Sequence, residues 1–172
     1  RLFQNLREDK AFTYGAYSSL STDKRIGSFS ASAQVRTSVT DSALNEILYE
    51  MKRMREELVP AEDLQLVKNM MNGSFSRSLE DPQTIARFAL NIERYNLPAD
   101  YYTTYLEKLA AVTADDVKAM ANKYLKPDQA IILAVGDVAQ ITEKMKAFTP
   151  SGNVTQYDFY GKEVVKTDAP AD

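Results

Sequence analysis

Two short segments near the start of the chain alternate apolar and polar residues, which is the pattern of β-strands with one buried face. Residues 11–19 place Phe12, Tyr14 and Ala16 on one face, and residues 26–36 alternate Phe29 and small apolar residues with serines. The polar link at 21–25 predicts that the two strands form a hairpin. Their small residues predict a helix packed closely over the sheet.

Helical spacing covers most of the remaining chain. Apolar residues recur every three or four positions in stripes that begin at Leu2, Leu44, Leu64, Ile85, Tyr102, Val117 and Ile141. Helix boundary signals separate these stripes. Pro60 ends one helix, Asp81-Pro82 starts another with a capping aspartate and a proline at the first helical position, and Leu97-Pro98 breaks it. Residues 113–116 resemble a capping box in which Asp116 replaces the usual glutamate.

The run 130–135 is continuously apolar, which predicts a strand buried on both faces and therefore central in its sheet. The predicted fold class is α+β, with an antiparallel or mixed sheet and helices packed on one face. Helical spacing is already present at Leu2, which predicts that the chain begins inside a helix. We therefore expect a fragment truncated at its N-terminus, which would also explain why so few strands accompany so many helices.

The predicted domain spans residues 1–148. A polar tail follows at 149–172, expected to be partly extended or disordered, with disorder predicted for Lys166–Asp172. Tyr157, Phe159 and Tyr160 are exceptions that could pin part of this tail to the domain.

Composition narrows the classes of function. The chain has 172 residues, a net charge of −3, and neither histidine nor cysteine. The charge argues against nucleic acid or an anionic membrane as the main partner, because both require concentrated positive charge. No apolar run in the sequence approaches the roughly 20 residues of a membrane span. The chain can supply neither a His-ligated zinc site nor a thiol nucleophile.

Arg7 and Tyr14 are the candidate substrate-binding residues. Arg7 lies at a predicted helix end and Tyr14 at a predicted strand start. A guanidinium fork and a phenol hydroxyl are both hydrogen-bond donors suited to a carbonyl oxygen or an oxyanion, and a strand edge can pair with an extended peptide. The alternative is structural: Arg7 pairs with Glu8 or Asp9, and Tyr14 packs in the core.

Four segments resemble a known family in the order in which the family has them. RLFQNLREDKAFTY at 1–14 is similar to the pattern S-R-L-F-x-x-L-R-E-x-x-G-L-x-Y in the second, non-zinc domain of the pitrilysin/insulinase-type (M16, inverzincin) zinc peptidases. VPAEDL at 59–64, VTADDV at 112–117 and AIILAVGD at 130–137 resemble later motifs of that domain. Ala11 stands where the family usually has glycine, which slightly alters the expected turn.

The resemblance implies half of a two-domain clamshell. One domain of such a peptidase carries zinc on an H-x-x-E-H motif and a further glutamate, and the other supplies an arginine and a tyrosine that bind peptide near the scissile carbonyl. Those two residues correspond to Arg7 and Tyr14. The zinc motif is missing from this sequence, so the chain alone is expected to hold no metal and to be inactive. Zinc would come from a partner family domain, either fused upstream or on a separate chain, as in a dimer.

Two further interpretations stay open. The chain could be a family member that has lost catalysis and serves as an assembly or scaffold subunit, or a plain α+β binding domain whose resemblance is accidental.

Other features are assigned structural roles. These are the solvated carboxylates Glu8, Asp9, Glu56, Glu57, Glu62 and Asp63, the helix-packing tyrosines Tyr95, Tyr101, Tyr102, Tyr105 and Tyr124, and the turn Gly136-Asp137.

Overall fold

The structure, a computed structural model, describes residues 1–23 and 25–164 and has the α+β class that the sequence predicts. Strands β1 (Thr13–Ser21) and β2 (Ser28–Val35) pair in a two-stranded antiparallel sheet, which confirms the hairpin. The helices are α1 (Thr40–Glu56), α2 (Ala61–Ser78), α3 (Pro82–Tyr95), α4 (Tyr105–Ala111), α5 (Ala114–Tyr124) and α6 (Val138–Lys146). A π-helical turn, Gln4–Asp9, precedes β1, and short 3-10 turns lie at Thr37–Val39 and Pro127–Gln129.

Helix starts follow the capping residues that the sequence predicts. The Asp81 carboxylate accepts the backbone N–H of Gln83, with Pro82 at the first position of α3. Thr113 and Asp116 form a reciprocal capping box at α5: the Thr113 hydroxyl accepts the Asp116 N–H at 3.1 Å, and the Asp116 carboxylate accepts the Thr113 N–H at 2.9 Å. The hydrogen bonds from Thr113 lower the pKa of Asp116 below its usual value. Each cap satisfies N–H groups that the helix itself leaves unpaired.

The chain divides into two compact units. The first comprises residues 1–19, 30–49 and the chain from 130 onward, and the second comprises residues 20–29 and 50–129. The core of the first unit joins the N-terminal turn, the hairpin and α1. Its buried residues are Leu6, Ala16 and Ala43, against which Leu2, Phe12, Ala33, Val35 and Ile47 pack. Ala16 on β1 and Ala43 on α1 are buried in this common core, with Ala33 on β2 packed against it, so α1 packs on the strands through small residues.

An aromatic stack lies in the second unit. The Phe75 ring on α2 stacks on Tyr105 at 4.5 Å between centroids and faces Phe88 at 5.8 Å, and Phe88 stacks on Tyr102 at 3.7 Å. The Tyr102 hydroxyl accepts a hydrogen bond from the Asn91 amide at 3.0 Å. These tyrosines therefore pack helices together, as expected. Tyr124 differs, since it is exposed.

Residues 130–135 do not form the central strand that their apolar run predicts. The segment has no strand partner among the described residues, and the side chains of Ile131, Leu133 and Val135 are 98%, 82% and 93% exposed. Ile132 and Ala134 are half-buried. The prediction of a doubly buried strand is therefore wrong for this structure, because burial on both faces needs flanking strands and the described sheet contains only β1 and β2.

Replacing Leu133 with lysine should change the free energy of unfolding by less than about 0.5 kcal/mol, because its side chain has little contact to lose. The same substitution at Ile141 on α6, which is 6% exposed, should cost several kcal/mol because it buries an unpaired charge. Urea unfolding followed by circular dichroism measures both. A loss above about 2 kcal/mol for Leu133→Lys would mean that this segment is covered in solution.

An ion pair ties α6 to the start of α1 within the first unit. The Lys144 ammonium lies 3.2 Å from the Asp41 Oδ1 and donates to the Ser38 carbonyl oxygen at 2.6 Å. The hydrogen bond from Lys144 lowers the pKa of the Asp41 carboxyl below its ordinary value. Asp41 also lies in the first turn of α1, where a negative charge is favoured by the helix dipole.

The stability that Asp41 contributes should disappear in acid. Because its pKa is lower in the folded chain, its contribution is complete above the unfolded-state pKa of about 3.9 and is lost as the pH falls through the folded-state pKa. The side chain is 40% exposed, so solvent screening limits the contribution to about 0.5 kcal/mol. Urea unfolding of the native chain and Asp41→Asn should therefore differ at pH 6 and converge near pH 2. An equal difference at both pH values would contradict this.

The tail after α6 has little regular structure but makes two ordered contacts within its described part. Tyr157 and Glu163 form an antiparallel bridge, and the Gln156 amide donates to the Thr142 hydroxyl of α6 at 3.2 Å. The bridge lies within the tail, and the side chains of Tyr157, Phe159 and Tyr160 are all exposed, so the hydrogen bond from the tail to α6 comes from Gln156 and not from these aromatic residues. The predicted disorder of Lys166–Asp172 concerns residues outside the described part, and the domain boundary at 148 stays a prediction. Within residues 1–23 and 25–164, no helix is both long and apolar enough to cross a membrane.

Candidate functional site

The N-terminal turn fixes Arg7 by burying its neighbours. Leu6 is fully buried in the core, and Asn5 is buried with its amide donating to Glu46 Oε2 on α1 at 2.9 Å. Lys10 binds the other oxygen of Glu46 at 3.1 Å. With both ends of the turn held to α1, the side chain of Arg7 lies on the solvent side.

The Arg7 guanidinium is accessible but already has local contacts. Its Nε lies 3.6 Å from Glu8 Oε1, its carbon lies 4.8 Å from the centre of the Phe3 ring, and about half of the side chain is exposed. An exposed ion pair of this kind is worth about 1 kcal/mol at most. The alternative pairing of Arg7 with Glu8 is therefore present, yet it is weak enough for a stronger acceptor to displace Glu8.

The turn between Arg7 and Tyr14 depends on Ala11. Ala11 has φ of +51°, and the chain closes there through hydrogen bonds from Ala11 N–H to the Arg7 carbonyl at 3.1 Å and from Phe12 N–H to the Leu6 carbonyl at 2.8 Å. Phe12 then packs against the core around Leu6. The turn thus has the backbone conformation that favours glycine, built here with alanine.

Replacing Ala11 with glycine should raise the free energy of unfolding by about 0.5–1 kcal/mol. The left-handed conformation costs an L-residue about 1–2 kcal/mol, and glycine avoids this cost. Part of that gain is offset because glycine has greater conformational freedom in the unfolded chain. The matched control, Ala89→Gly on the exposed side of α3, should lower the stability by about 1 kcal/mol. Urea unfolding measures both, and a stability loss for Ala11→Gly would contradict the strain.

Tyr14 does not pack in the core. It is the second residue of β1, and its side chain is 96% exposed, whereas the adjoining Gly15 and Ala16 are buried. Thr13 holds the strand start, since its hydroxyl donates to the Gln34 carbonyl at 2.6 Å and accepts the Gly15 N–H at 3.1 Å. The structural alternative for Tyr14 is therefore wrong, and its phenol is available to a ligand.

A shallow hollow of about 460 Å³ opens beside Tyr14 on the hairpin. Thr13, Gly15 and Tyr17 line it from β1, and Ser32 and Gln34 line it from β2. Sequence reasoning missed Gly15 and Tyr17. The signal was a glycine inside a strand, which often marks a close approach of another group to the backbone. Arg7 and Tyr14 are both exposed on the first unit, but their convergence on one point stays a prediction.

The described residues do not offer a metal site. They contain no group of three or more His, Cys, Asp or Glu placed to hold a metal ion. The six carboxylates that the sequence assigns to solvent, at positions 8, 9, 56, 57, 62 and 63, are all exposed. The donor chemistry therefore does not fit a resident zinc ion in this part of the chain.

Comparisons with known proteins agree with the resemblance drawn from the sequence. Residues 1–71 match the family model described as the peptidase M16 inactive domain. The fold is similar to the crystal structure of a peptidase M16 inactive domain from Pseudomonas fluorescens, with 25% sequence identity and a TM-score of 0.68 over 74% of this chain. This chain spans 30% of that chain. A search of curated proteins gave no match. Both matches support the resemblance to the M16 C-terminal, non-zinc domain that the sequence motifs indicate.

Proposed function

We propose that this chain is the substrate-binding, non-zinc domain of a zinc metalloendopeptidase that acts on peptides. The observation that carries the proposal is the exposure of Tyr14 at the start of β1, one turn after the exposed Arg7. By the sequence motif, both residues correspond to the arginine and tyrosine of the family, and they lie within the segment 1–71 that matches the family model. A tyrosine side chain that is 96% exposed contributes little to folding, so its position favours a role toward a ligand.

The two side chains would act on the substrate carbonyl. The Arg7 fork and the Tyr14 hydroxyl donate hydrogen bonds, which strengthen as negative charge develops on the carbonyl oxygen during attack. Neither group needs to change its protonation state for this role. The catalytic zinc and the general base would belong to a partner M16 domain, because this sequence has no histidine and therefore no H-x-x-E-H motif.

Peptide binding to the isolated chain tests the proposal directly. An extended, blocked peptide, acetyl-Ala-Ala-Phe-Ala-Ala-amide, should shift the NMR signals of Arg7 and of residues 13–15 while leaving those of helix α5 unchanged. The isolated chain with added Zn²⁺ should not cleave this peptide, and cleavage should need a zinc-bearing M16 domain. Peptide shifts confined to other parts of the chain would overturn the assignment of Arg7 and Tyr14.

The second candidate is a catalytically inactive assembly subunit of the same family. Exposed apolar side chains favour it, notably Leu66, Val67 and Met70 along one side of α2. Such a surface is typical of a chain that binds another protein. This candidate would be favoured if the chain formed a stable complex with a zinc-bearing domain and the peptidase activity of the complex did not change when the Arg7 and Tyr14 side chains were both removed.

A further inference from the structure

The middle of α2 has no buried face within the described part of the chain. All six residues from 69 to 74 are exposed, although they span more than one full turn of the helix. Contacts hold α2 on either side of this turn. The Lys68 ammonium donates to the Ala110 carbonyl oxygen at 2.7 Å, and the Phe75 ring stacks on Tyr105 at 4.5 Å. The turn between these contacts therefore gains little from the tertiary packing that stabilises most helices.

The sequence of this turn weakens it further. Asn72, Gly73 and Ser74 follow one another, and each has a lower helix propensity than alanine, with glycine the lowest of the three. A Cβ atom at Gly73 would have no neighbour within 4 Å outside the backbone of its own helix, so no tertiary contact requires a glycine there. The middle of α2 should therefore open locally more readily than either end.

Asn72 and Gly73 form a chemically reactive pair. The backbone nitrogen of the following residue attacks an asparagine side chain most readily when that residue is glycine, which has no Cβ to shield its nitrogen. No other asparagine in the sequence precedes glycine. The Asn72 side chain is exposed, and its Oδ1 accepts a hydrogen bond from Ser76 Oγ at 3.4 Å, which is too long to restrain the amide strongly.

The helix controls this reaction. Inside α2 the Gly73 N–H points along the helix axis toward the carbonyl of residue 69, and it cannot reach the side chain of Asn72. Opening of the turn releases the N–H and lets the Asn72 backbone leave its helical conformation. The rate in the folded chain is then the rate in an unstructured peptide multiplied by the open fraction of the turn.

We propose that Asn72 is a site of spontaneous deamidation, reached by local opening of the middle of α2. The Gly73 nitrogen loses its proton to water and forms a bond to Cγ of Asn72, and the Cγ–Nδ2 bond breaks to release ammonia. Water then opens the resulting succinimide ring. Its addition at Cγ leaves aspartate, and its addition at the main-chain carbonyl carbon leaves isoaspartate, in which the chain runs through Cβ and Cγ. Water is the co-reactant, and nothing is oxidised or reduced.

The isoaspartate product should interrupt α2. Its main chain is one atom longer, so the N–H groups that follow lose their register with the carbonyl groups of the preceding turn. The product also carries a carboxylate where the native chain has a neutral amide. The change lies between the two contacts that hold α2, at Lys68 and at Phe75. Modified chain should therefore show less helix by circular dichroism than native chain.

The test follows each asparagine in the folded chain during incubation in mildly alkaline buffer. Trypsin then releases residues 69–77 as one peptide, in which mass spectrometry locates the conversion of an amide to a carboxyl group. Asn72 should convert and yield isoaspartate, whereas Asn69, which precedes methionine in the same turn, should convert far more slowly.

Two substitutions at Ser74 change the opening of the turn and keep the reactive pair. Ser74→Gly should convert Asn72 about 5-fold faster than Ser74→Ala, because the helix propensities of glycine and alanine change the open population by about that factor. Synthetic peptides of residues 69–77 with the same two substitutions should react at equal rates. Circular dichroism checks that each full-length variant is folded.

Leu6→Ala is the control for unfolding elsewhere in the chain. It weakens the core of the first unit, whereas α2 belongs to the second. The Asn72 rate should stay within about 2-fold of the native rate, because opening of one helical turn does not require unfolding of the first unit. A larger rise would overturn local opening. Equal rates in Ser74→Gly and Ser74→Ala, or conversion of Asn72 no faster than that of Asn69, would also overturn the proposal.

Discussion

Replacing Leu6 with alanine should lower the free energy of unfolding of the first unit by about 3 kcal/mol. Leu6 is fully buried, and the core around it joins the N-terminal turn to the hairpin and α1. Large-to-small changes at such positions cost about 2–5 kcal/mol, because apolar burial is lost and a cavity remains. Urea unfolding followed by circular dichroism gives the difference.

The Leu6 experiment has a control of the same chemistry. Leu90→Ala on α3 removes a side chain that is 68% exposed and should change stability by less than about 0.5 kcal/mol. Because Leu6 adjoins Arg7, its loss should also loosen the turn that presents Arg7. Amide exchange at residues 5–12 should then accelerate more than exchange in the second unit. A Leu6→Ala cost below about 1 kcal/mol would contradict the core assignment.

The local elements were predictable because their determinants are local. The caps at Asp81 and Thr113 need only the residues within one helical turn, and both form as the sequence predicts. The alternation in β2 likewise follows from the pleat of a strand with one buried face. The run 130–135 was different. Its apolar pattern indicates that both faces could be buried, but only the tertiary structure decides whether other strands or helices pack against them.

The candidate site divides in the same way. The sequence was enough to predict that Arg7 lies at a helix end and Tyr14 at a strand start. It was not enough to predict that the Tyr14 side chain is exposed. Strand alternation puts Tyr14 on the same face as the buried Ala16 and would predict burial, so only the tertiary structure around the start of β1 decides that Tyr14 is exposed. The contact between Tyr17 and Gly15 depends on a rotamer, which no sequence pattern specifies. The turn at Ala11 was expected to change slightly, yet it keeps a left-handed backbone because its hydrogen bonds and Phe12 hold it.

Tyr14→Phe should reduce kcat about 10²–10³-fold in the assembled peptidase. The substitution removes one hydroxyl and keeps the ring. The loss is the typical consequence of removing one hydrogen-bond donor to a developing oxyanion. KM should change little, because the bond strengthens mainly in the transition state. Arg7→Lys should also reduce kcat, since lysine lacks the planar fork. The measurement is steady-state cleavage of a peptide by the chain combined with its zinc-bearing M16 domain.

The Tyr14 prediction separates catalysis from scaffolding. The Tyr14 side chain is 96% exposed, so Tyr14→Phe should leave the free energy of unfolding within about 0.5 kcal/mol of the native value. Tyr124→Phe on α5 removes a hydroxyl from another exposed tyrosine and should leave kcat unchanged. If Tyr14→Phe and Arg7→Lys both kept full activity in a folded complex, neither side chain would be stabilising the transition state. The domain would then contribute to the peptidase by assembly alone, because its exposed apolar surface on α2 would still be available to bind a partner.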